Sequence, residues 1–248
     1  MELTLPLVLI VFAVEFVCFF IKGLAAFGDP LISNPVLSMV TENRIISPMN
    51  LLLGTPINAY MTWKNRKNFS IRNALFMLIC ILCGIIPGTL LLKYASSWIL
   101  KAALGIVVLG IGIEMITRNR TKPVRQNRII MAVISFCSGI TAGLYGINLF
   151  FVAYVERTTR DRAAFRGNVG FIFFIENVIR IIIYAFFGIF TRHILLLTLI
   201  ALPGAVLGFL AGSRIDKRLS ETAIRRIIIF IFMLGGFSIL LKAIILKA

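Results

Sequence analysis

Long apolar runs separated by short polar connectors recur along the whole chain. Each run approaches the roughly 20 residues that a helix needs to cross a bilayer core of about 30 Å. Eight such segments can be drawn, at residues 3–21, 45–63, 74–92, 98–116, 129–155, 167–190, 194–213 and 227–246. No hydrophilic stretch between them is long enough to fold as a separate soluble domain. The pattern therefore predicts one all-α integral membrane protein.

Two of the eight segments are interrupted by glycine and polar residues. The first runs into the stretch 22–30, which contains Gly23, Gly28 and Asp29, and the chain is then largely apolar to residue 37. The fifth is interrupted between residues 139 and 148, where three glycines precede an asparagine. Irregular backbone at membrane depth is tolerated only where protein or a water-filled cavity satisfies its polar groups. We therefore predict a broken, re-entrant helical hairpin at each of the two segments.

The basic residues decide how the segments are oriented. If all eight segments crossed the membrane once, Lys and Arg would be spread almost evenly over both sides, against the positive-inside rule. If the first and fifth segments are hairpins, four connectors with 18 of the 26 Lys and Arg share one side. These connectors are residues 64–72, 118–128, 157–166 and 214–226. We therefore predict a multi-pass membrane protein with these connectors in the cytoplasm and both termini on the non-cytoplasmic side.

The same arrangement predicts an inverted repeat, because each half has one hairpin plus three transmembrane helices, an odd number of crossings. Short sequence matches at a nearly constant offset support the repeat. They pair 23–26 with 143–146, 84–88 with 204–208, and 44–50 with 162–168. The predicted division is a first membrane repeat at 1–117, a basic cytoplasmic linker at 118–128, and a second, inverted membrane repeat at 129–248.

Composition and charge support the same class. The chain is 59% hydrophobic and 15% charged, with a mean hydropathy of +0.98. A soluble domain is about 45–50% apolar and about 25% charged. The net charge of +16 could suggest nucleic acid, but the basic residues are concentrated in the connectors, as in cytoplasmic loops. We therefore expect the lipid bilayer as a partner and no nucleic acid.

The two breaks are the predicted binding site. Inverted repeats with broken helices place the substrate near the midplane, between the ends of half-helices. The N-terminus of a half-helix favours an anion, because it presents free amide groups and the positive end of the helix dipole. Asp29, followed by Pro30, and Asn148 are each expected to cap such a half-helix. The glycine pairs in 84–88 and 204–208 are instead expected to let helices pack closely.

Polar side chains inside the apolar segments extend this site, because each is costly there. Glu176 and Arg180 are four residues apart and could form a structural pair, or Arg180 could contact the anion while Glu176 balances it or carries a proton. Lys22 could be a substrate counter-ion, or the partner of Asp29 or Glu15. The predicted substrate-binding residues are Lys22, Gly23, Gly28, Asp29, Asn50, Thr55, Asn58, Gly143, Tyr145, Gly146, Asn148, Asn168, Glu176, Asn177 and Arg180.

No pattern in the sequence predicts catalysis or a cofactor. His193 is the only histidine, and no cluster of Cys, His or carboxylates has the spacing of a metal site. Nothing resembles a nucleophile elbow, a phosphate-binding loop or a dinucleotide fingerprint. We expect a protein that is not an enzyme and that holds neither metal nor cofactor.

Three glycine-rich stretches, 23–28, 139–148 and 202–212, resemble the sulfite exporter TauE/SafE family of membrane permeases. The resemblance spans essentially the whole chain. It implies an inner-membrane permease for small oxyanions such as sulfite, or for organosulfonates and related carboxylates. This chain has Asp29 and Pro30 where members of the family tend to carry a glycine pair. A carboxylate there would repel an anion unless it were paired, for which Lys22 is the candidate.

Three functions follow as alternatives. The first is a secondary transporter that moves a small sulfur-containing or organic anion by alternating access around the two broken helices. The second is an ion channel or a cation or metal permease, with Asp29, Glu15 and Glu176 as ligands. The third is a membrane scaffold or membrane-embedded enzyme, which the lack of a catalytic constellation disfavours. The sequence leaves open whether the chain forms a homo-oligomer.

Overall fold

The computed structural model describes residues 5–37, 40–94, 127–145, 148–159, 161–216 and 218–245, with scattered positions between 102 and 117. Across these ranges the chain forms helices joined by turns and contains no strand. The helices bounded there are α1 Leu5–Ala25, α2 Asp29–Leu37, α3 Asn43–Asn65, α4 Ile71–Tyr94, α5 Arg128–Tyr145, α6 Leu149–Thr158, α7 Arg162–Phe186, α8 Arg192–Asp216 and α9 Glu221–Ile245.

The helix bounds follow the apolar segments of the sequence. Helices α3, α4, α7, α8 and α9 each coincide with one predicted segment to within six residues at either end. The fifth segment forms two helices, α5 and α6, as predicted, and its re-entrant course stays a prediction. The chain around the first break forms α1 and α2 in the same way. The predicted segment 98–116 falls largely outside the described residues, and so does most of the predicted linker 118–128.

Four helices in the described part of the chain are long and apolar enough to cross a membrane. They are α1, α7 and α8 over their full length, and the stretch Ile71–Gly88 of α4. Several of their large apolar side chains point outward, among them Leu5, Ile182 and Leu199. Outward-facing apolar side chains on long apolar helices are what contact with lipid requires.

The chain divides into two packing units, and each contains segments from both halves of the sequence. The first unit comprises Met1–Lys64 and Val169–Ile227, and the second comprises Asn65–Asn168 and Ile228–Ala248. This division follows contacts, whereas the predicted repeats follow sequence matches and orientation. The repeats and the linker therefore stay a prediction.

In the first unit, α1 packs along α8 at a crossing formed by glycines. A Cβ added at Gly23 would lie 2.6 Å from the carbonyl oxygen of Phe209 and 3.0 Å from the Cα of Gly212. A Cβ at Gly208 would collide with the backbone of Phe16. Small residues allow two backbones to approach this closely, which is how helices commonly associate in membranes.

In the second unit, α4 packs along α5 in the same manner. A Cβ at Gly84 would collide with the carbonyl oxygen of Phe136 and lie 3.0 Å from the Cα of Gly139. A Cβ at Gly88 would collide with the carbonyl oxygen of Ile140. The packing role predicted for the glycine pairs in 84–88 and 204–208 is therefore confirmed.

Candidate functional site

Three non-helical residues form the turn between α1 and α2, and two of them have a positive φ. Ala26 has a φ of +71° and Gly28 a φ of +105°. Positive φ is disfavoured for residues with a Cβ, so Gly28 suits its position whereas Ala26 is held in a sparsely populated conformation. The turn ends α1 at Ala25 and begins α2 at Asp29.

This turn brings Lys22 and Asp29 into a buried ion pair. The ammonium nitrogen of Lys22 donates to Oδ2 of Asp29 at 2.9 Å, and the two residues are 1% and 6% exposed. The ammonium also lies 5.4 Å from the ring centroid of Phe19, within the range of a cation–π contact. Of the alternatives for Lys22, the structure shows the pair with Asp29. An unpaired charge would be strongly disfavoured in these surroundings.

Gly54 on α3 faces this ion pair. A Cβ added there would lie 3.5 Å from Nζ of Lys22, from Oδ2 of Asp29 and from Nδ2 of Asn177 on α7. The polar atoms of α1, α2 and α7 therefore converge on the one position of α3 that has no side chain. Lys22, Asp29, Gly54 and Asn177 form what we call the charged site.

A polar stripe on α3 runs past the charged site. Asn50, Gly54 and Asn58 are spaced four residues apart and therefore share one helix face. Asn50 donates from Nδ2 to Oγ of Ser33 at 2.9 Å and to Oδ1 of Asn34 at 3.1 Å, both on α2. Asn58 is 1% exposed, and its Oδ1 accepts no hydrogen bond from the described residues. At one end of the stripe, Asn50 therefore links α3 to α2 through hydrogen bonds. At the other end, Oδ1 of Asn58 is a buried acceptor with no donor among the described residues.

Two other predicted residues of the first unit have local roles. The hydroxyl of Thr55 donates to the carbonyl oxygen of Leu51 at 2.6 Å, so it satisfies its own helix. Gly23 lies in the glycine crossing with α8, which accounts for its small size. Neither Thr55 nor Gly23 belongs to the charged site.

The remaining predicted residues of the first unit lie on α7. Asn177 is half-buried and reaches the charged site, as described above. Glu176 is buried and Arg180 is half-buried one turn further along the helix. The choice between a structural pair and an anion contact for these two residues stays open.

Around the second break, α5 ends at Tyr145 and α6 begins at Leu149. Asn148 occupies the N-cap position of α6, but its side chain makes no capping hydrogen bond. The amide of Phe151 instead donates to the hydroxyl of Ser138 on α5 at 3.1 Å. The hydroxyl of Ser138 also lies 3.4 Å from Oδ1 of Asn148. The prediction that Asn148 caps this half-helix with its side chain is therefore wrong, because the neighbouring helix supplies the cap.

Three predicted residues of this break are described only in part. Gly143 lies within α5, and Tyr145 is the last residue of that helix. The side chain of Tyr145 and the whole of Gly146 lie outside the described part of the chain.

A small cavity of about 40 Å³ lies in the second unit. Its lining is neutral, and consists of Ser70, Asn73, Met77, Met131, Tyr154, Val155, Thr158, Thr159 and Asn168. Asn168 donates from Nδ2 to the carbonyl oxygen of Ala164 at 2.8 Å, within its own helix. The predicted residue Asn168 therefore belongs to this neutral cavity of the second unit.

A family model described as Sulfite exporter TauE/SafE matches residues 11–239, nearly the whole chain. The chain belongs to this family. No curated protein and no solved structure matches it. TauE/SafE proteins are membrane transporters, and the long apolar helices fit that role, so the chain is a membrane transport protein. The resemblance inferred from the glycine-rich stretches is confirmed.

Several residues of this TauE/SafE chain that shape the charged site were not predicted. Gly54 puts no side chain among its polar atoms, while Ser33 and Asn34 accept hydrogen bonds from Asn50 of α3. The spacing of Asn50, Gly54 and Asn58 on one helix face was the available signal for Gly54. Ser33 and Asn34 follow Asp29 in a short polar run of α2 that could have been included with it.

The donor set of the charged site suits an anion better than a metal. It offers one ammonium and one amide nitrogen beside a single carboxylate. Among the described residues, no group of three or more His, Cys, Asp or Glu side chains could hold a metal ion.

Proposed function

We propose that this TauE/SafE chain is a secondary transporter of a small anion, such as sulfite, an organosulfonate or a related carboxylate. The anion binds at the charged site and moves by alternating access around the two broken helices. The observation that carries the proposal is the buried ammonium of Lys22, placed beside Gly54, which has no side chain.

A buried ammonium group can compensate an anion for the hydration that it loses when it leaves water. Transfer of an ion into a medium of low dielectric constant is strongly unfavourable unless a charge of opposite sign compensates it. Ionised side chains inside membrane proteins therefore tend to mark the substrate pathway. Lys22 supplies the positive charge, and Nδ2 of Asn177, on the same side of Gly54, supplies a neutral donor.

Asp29 keeps this site neutral when no substrate is bound. Its Oδ2 lies 2.9 Å from the ammonium nitrogen of Lys22, where an oxygen of a substrate oxyanion would bind. An incoming anion displaces the carboxylate and takes over the ammonium. The carboxylate in place of the family's usual glycine pair thus acts as an internal competitor.

The packing of the two units supports an inverted repeat. In the predicted first half, α1 of the hairpin packs on α8, which belongs to the predicted second half. In the predicted second half, α5 of the hairpin packs on α4, which belongs to the first. Each hairpin thus packs through glycines on a helix of the opposite half, as two equivalent halves would. We place the basic connectors in the cytoplasm and both termini on the opposite side.

Counterflow in proteoliposomes tests the proposal. Vesicles loaded with unlabelled sulfite are diluted into labelled sulfite, and competitors are added outside: thiosulfate, sulfoacetate, taurine and divalent cations. We expect the anions to compete with labelled sulfite and the divalent cations to have no effect. Competition or flux of divalent cations alone would support the cation permease with Asp29 and Glu176 as ligands, and would overturn the proposal.

A further inference from the structure

A second buried carboxylate lies two turns from the charged site, on the same face of α1. Glu15 and Lys22 are seven residues apart, or about 10 Å along the helix axis. Glu15 is 0% exposed, and Oγ of Ser33 donates to its Oε1 at 2.6 Å. The other oxygen, Oε2, accepts no hydrogen bond from the described residues although it is fully buried.

The charges around Glu15 do not compensate an ionised carboxylate. On α1 the nearby cation is Lys22, which is already bonded to Asp29 of α2. Asp29 is itself an acid, so it repels a second negative charge. From α3, the neutral Asn50 reaches the same Ser33 hydroxyl. From α8, Gly204 and Gly208 pack against Phe12 and Phe16, on either side of Glu15 along α1.

An arriving anion would add a further negative charge to this cluster. With Lys22, Asp29 and Glu15 all ionised, the three side chains sum to one negative charge before substrate binds. Uncompensated negative charges repel strongly where water is excluded. A proton on Oε2 of Glu15 removes one of them and gives the orphaned oxygen a hydrogen to donate.

We propose that Glu15 is a proton-binding site, and that its protonation is coupled to the binding of the anion at the charged site. The inference rests on the proposed function and adds the coupling ion to it. In the binding step the carboxylate of Glu15 takes a proton from hydronium in the bulk, which leaves water, and no bond of the substrate breaks. Coupling is reciprocal, so the proton favours the anion as much as the anion favours the proton. One proton then moves with each anion.

The variant Glu15→Gln tests the coupling, because a glutamine has the shape of the protonated acid and does not titrate. In proteoliposomes, wild-type protein should lose apparent affinity for sulfite as the pH rises, by up to about tenfold per pH unit above the titration of Glu15. It should also accumulate sulfite against its gradient when a proton gradient is imposed. Glu15→Gln should keep counterflow, retain only the pH dependence that comes from the protonation of sulfite itself, and lose accumulation. The exposed Glu42→Gln is the matched control and should behave as wild type.

Two further outcomes are decisive. Proton-driven accumulation by Glu15→Gln overturns the inference, and so does loss of its counterflow, since Glu15 would then be needed for the anion itself. If Glu15→Gln does not insert, Ser33→Ala replaces it, because it removes the hydrogen bond to Glu15. The midpoint of the pH profile must then move, and an unchanged midpoint overturns the inference. Absence of counterflow in wild-type protein would instead defeat the proposed function.

Discussion

The ammonium nitrogen of Lys22 lies 2.9 Å from a carboxylate oxygen of Asp29, at the break between α1 and α2. Both side chains are buried. The pair explains how a carboxylate can stand in this TauE/SafE chain at the start of a half-helix without excluding an anion. The carboxylate is held by the cation that the anion would use.

Asp29→Asn should tighten anion binding, because it removes the internal competitor of the substrate and leaves the ammonium of Lys22 uncompensated, at a cost to the stability of the empty protein. Hydrogen bonds to charged groups contribute about 1.5–3 kcal/mol, and each 1.4 kcal/mol is tenfold in affinity. We expect the half-saturation concentration for sulfite in counterflow to fall about tenfold. Asp161→Asn, at an exposed position, is the control and should leave it unchanged. Loss of anion flux in Asp29→Asn, with normal insertion, would contradict the role given to Asp29.

Substitution of Gly54 should reduce transport without loss of folding. An alanine Cβ at this position would lie 3.5 Å from each of the three polar atoms, which is ordinary van der Waals contact. It would nonetheless occupy the space that the anion needs. We expect Gly54→Ala to lower the rate of sulfite counterflow and Gly54→Leu to abolish it, while both variants insert normally. Wild-type flux in Gly54→Leu would show that the anion does not pass this face of α3.

Gly84→Ala should destabilise the second unit, since the added methyl group collides with the backbone of α5. Overpacking of this kind typically costs about 1–3 kcal/mol. Thermal unfolding of the purified protein in detergent should show a lower midpoint. The matched control is Gly110→Ala, because a Cβ at Gly110 meets no atom within 4 Å. Equal midpoints for the two variants would rule out the glycine crossing as a determinant of stability.

Arg180→Ala should abolish anion flux while membrane insertion stays intact, if Arg180 contacts the anion. Arg180 lies one turn beyond Glu176 and three residues after Asn177 of the charged site, on the same helix. Arg192→Ala, at an exposed position, controls for loss of a positive charge on the protein. Normal sulfite counterflow by Arg180→Ala would leave the structural pair with Glu176 as the remaining interpretation.

The helices could be predicted from the sequence because their lengths are set by the apolar runs. Residues 45–63 predicted a helix that extends from Asn43 to Asn65, and the glycines of the fifth segment predicted the break between α5 and α6. Both features are local. A run of apolar side chains requires a helix of that length in lipid, and glycine with polar residues permits its interruption.

The site could be predicted only in part, because its contacts are not local. Lys22 and Asp29 would lie about 10 Å apart on a continuous helix, so their pairing depends on the turn at Ala26 and Gly28. The approach of Asn177 to Gly54 depends on how α3 meets α7, which no spacing within either helix reveals. The cap of α6 likewise comes from Ser138 on the preceding helix, whereas the sequence pointed to the adjacent Asn148.

The most direct test of the charged site is sulfite counterflow by the double variant Lys22→Gln/Asp29→Asn. Removal of one partner alone would leave an uncompensated buried charge at a cost of about 3–5 kcal/mol. The double variant removes both charges and keeps a polar pair, so its insertion should match that of wild type and of the control Lys67→Gln. Counterflow should then fall to the level of empty vesicles. Sulfite flux at the wild-type rate in the inserted double variant would show that the buried ammonium of Lys22 does not carry the anion.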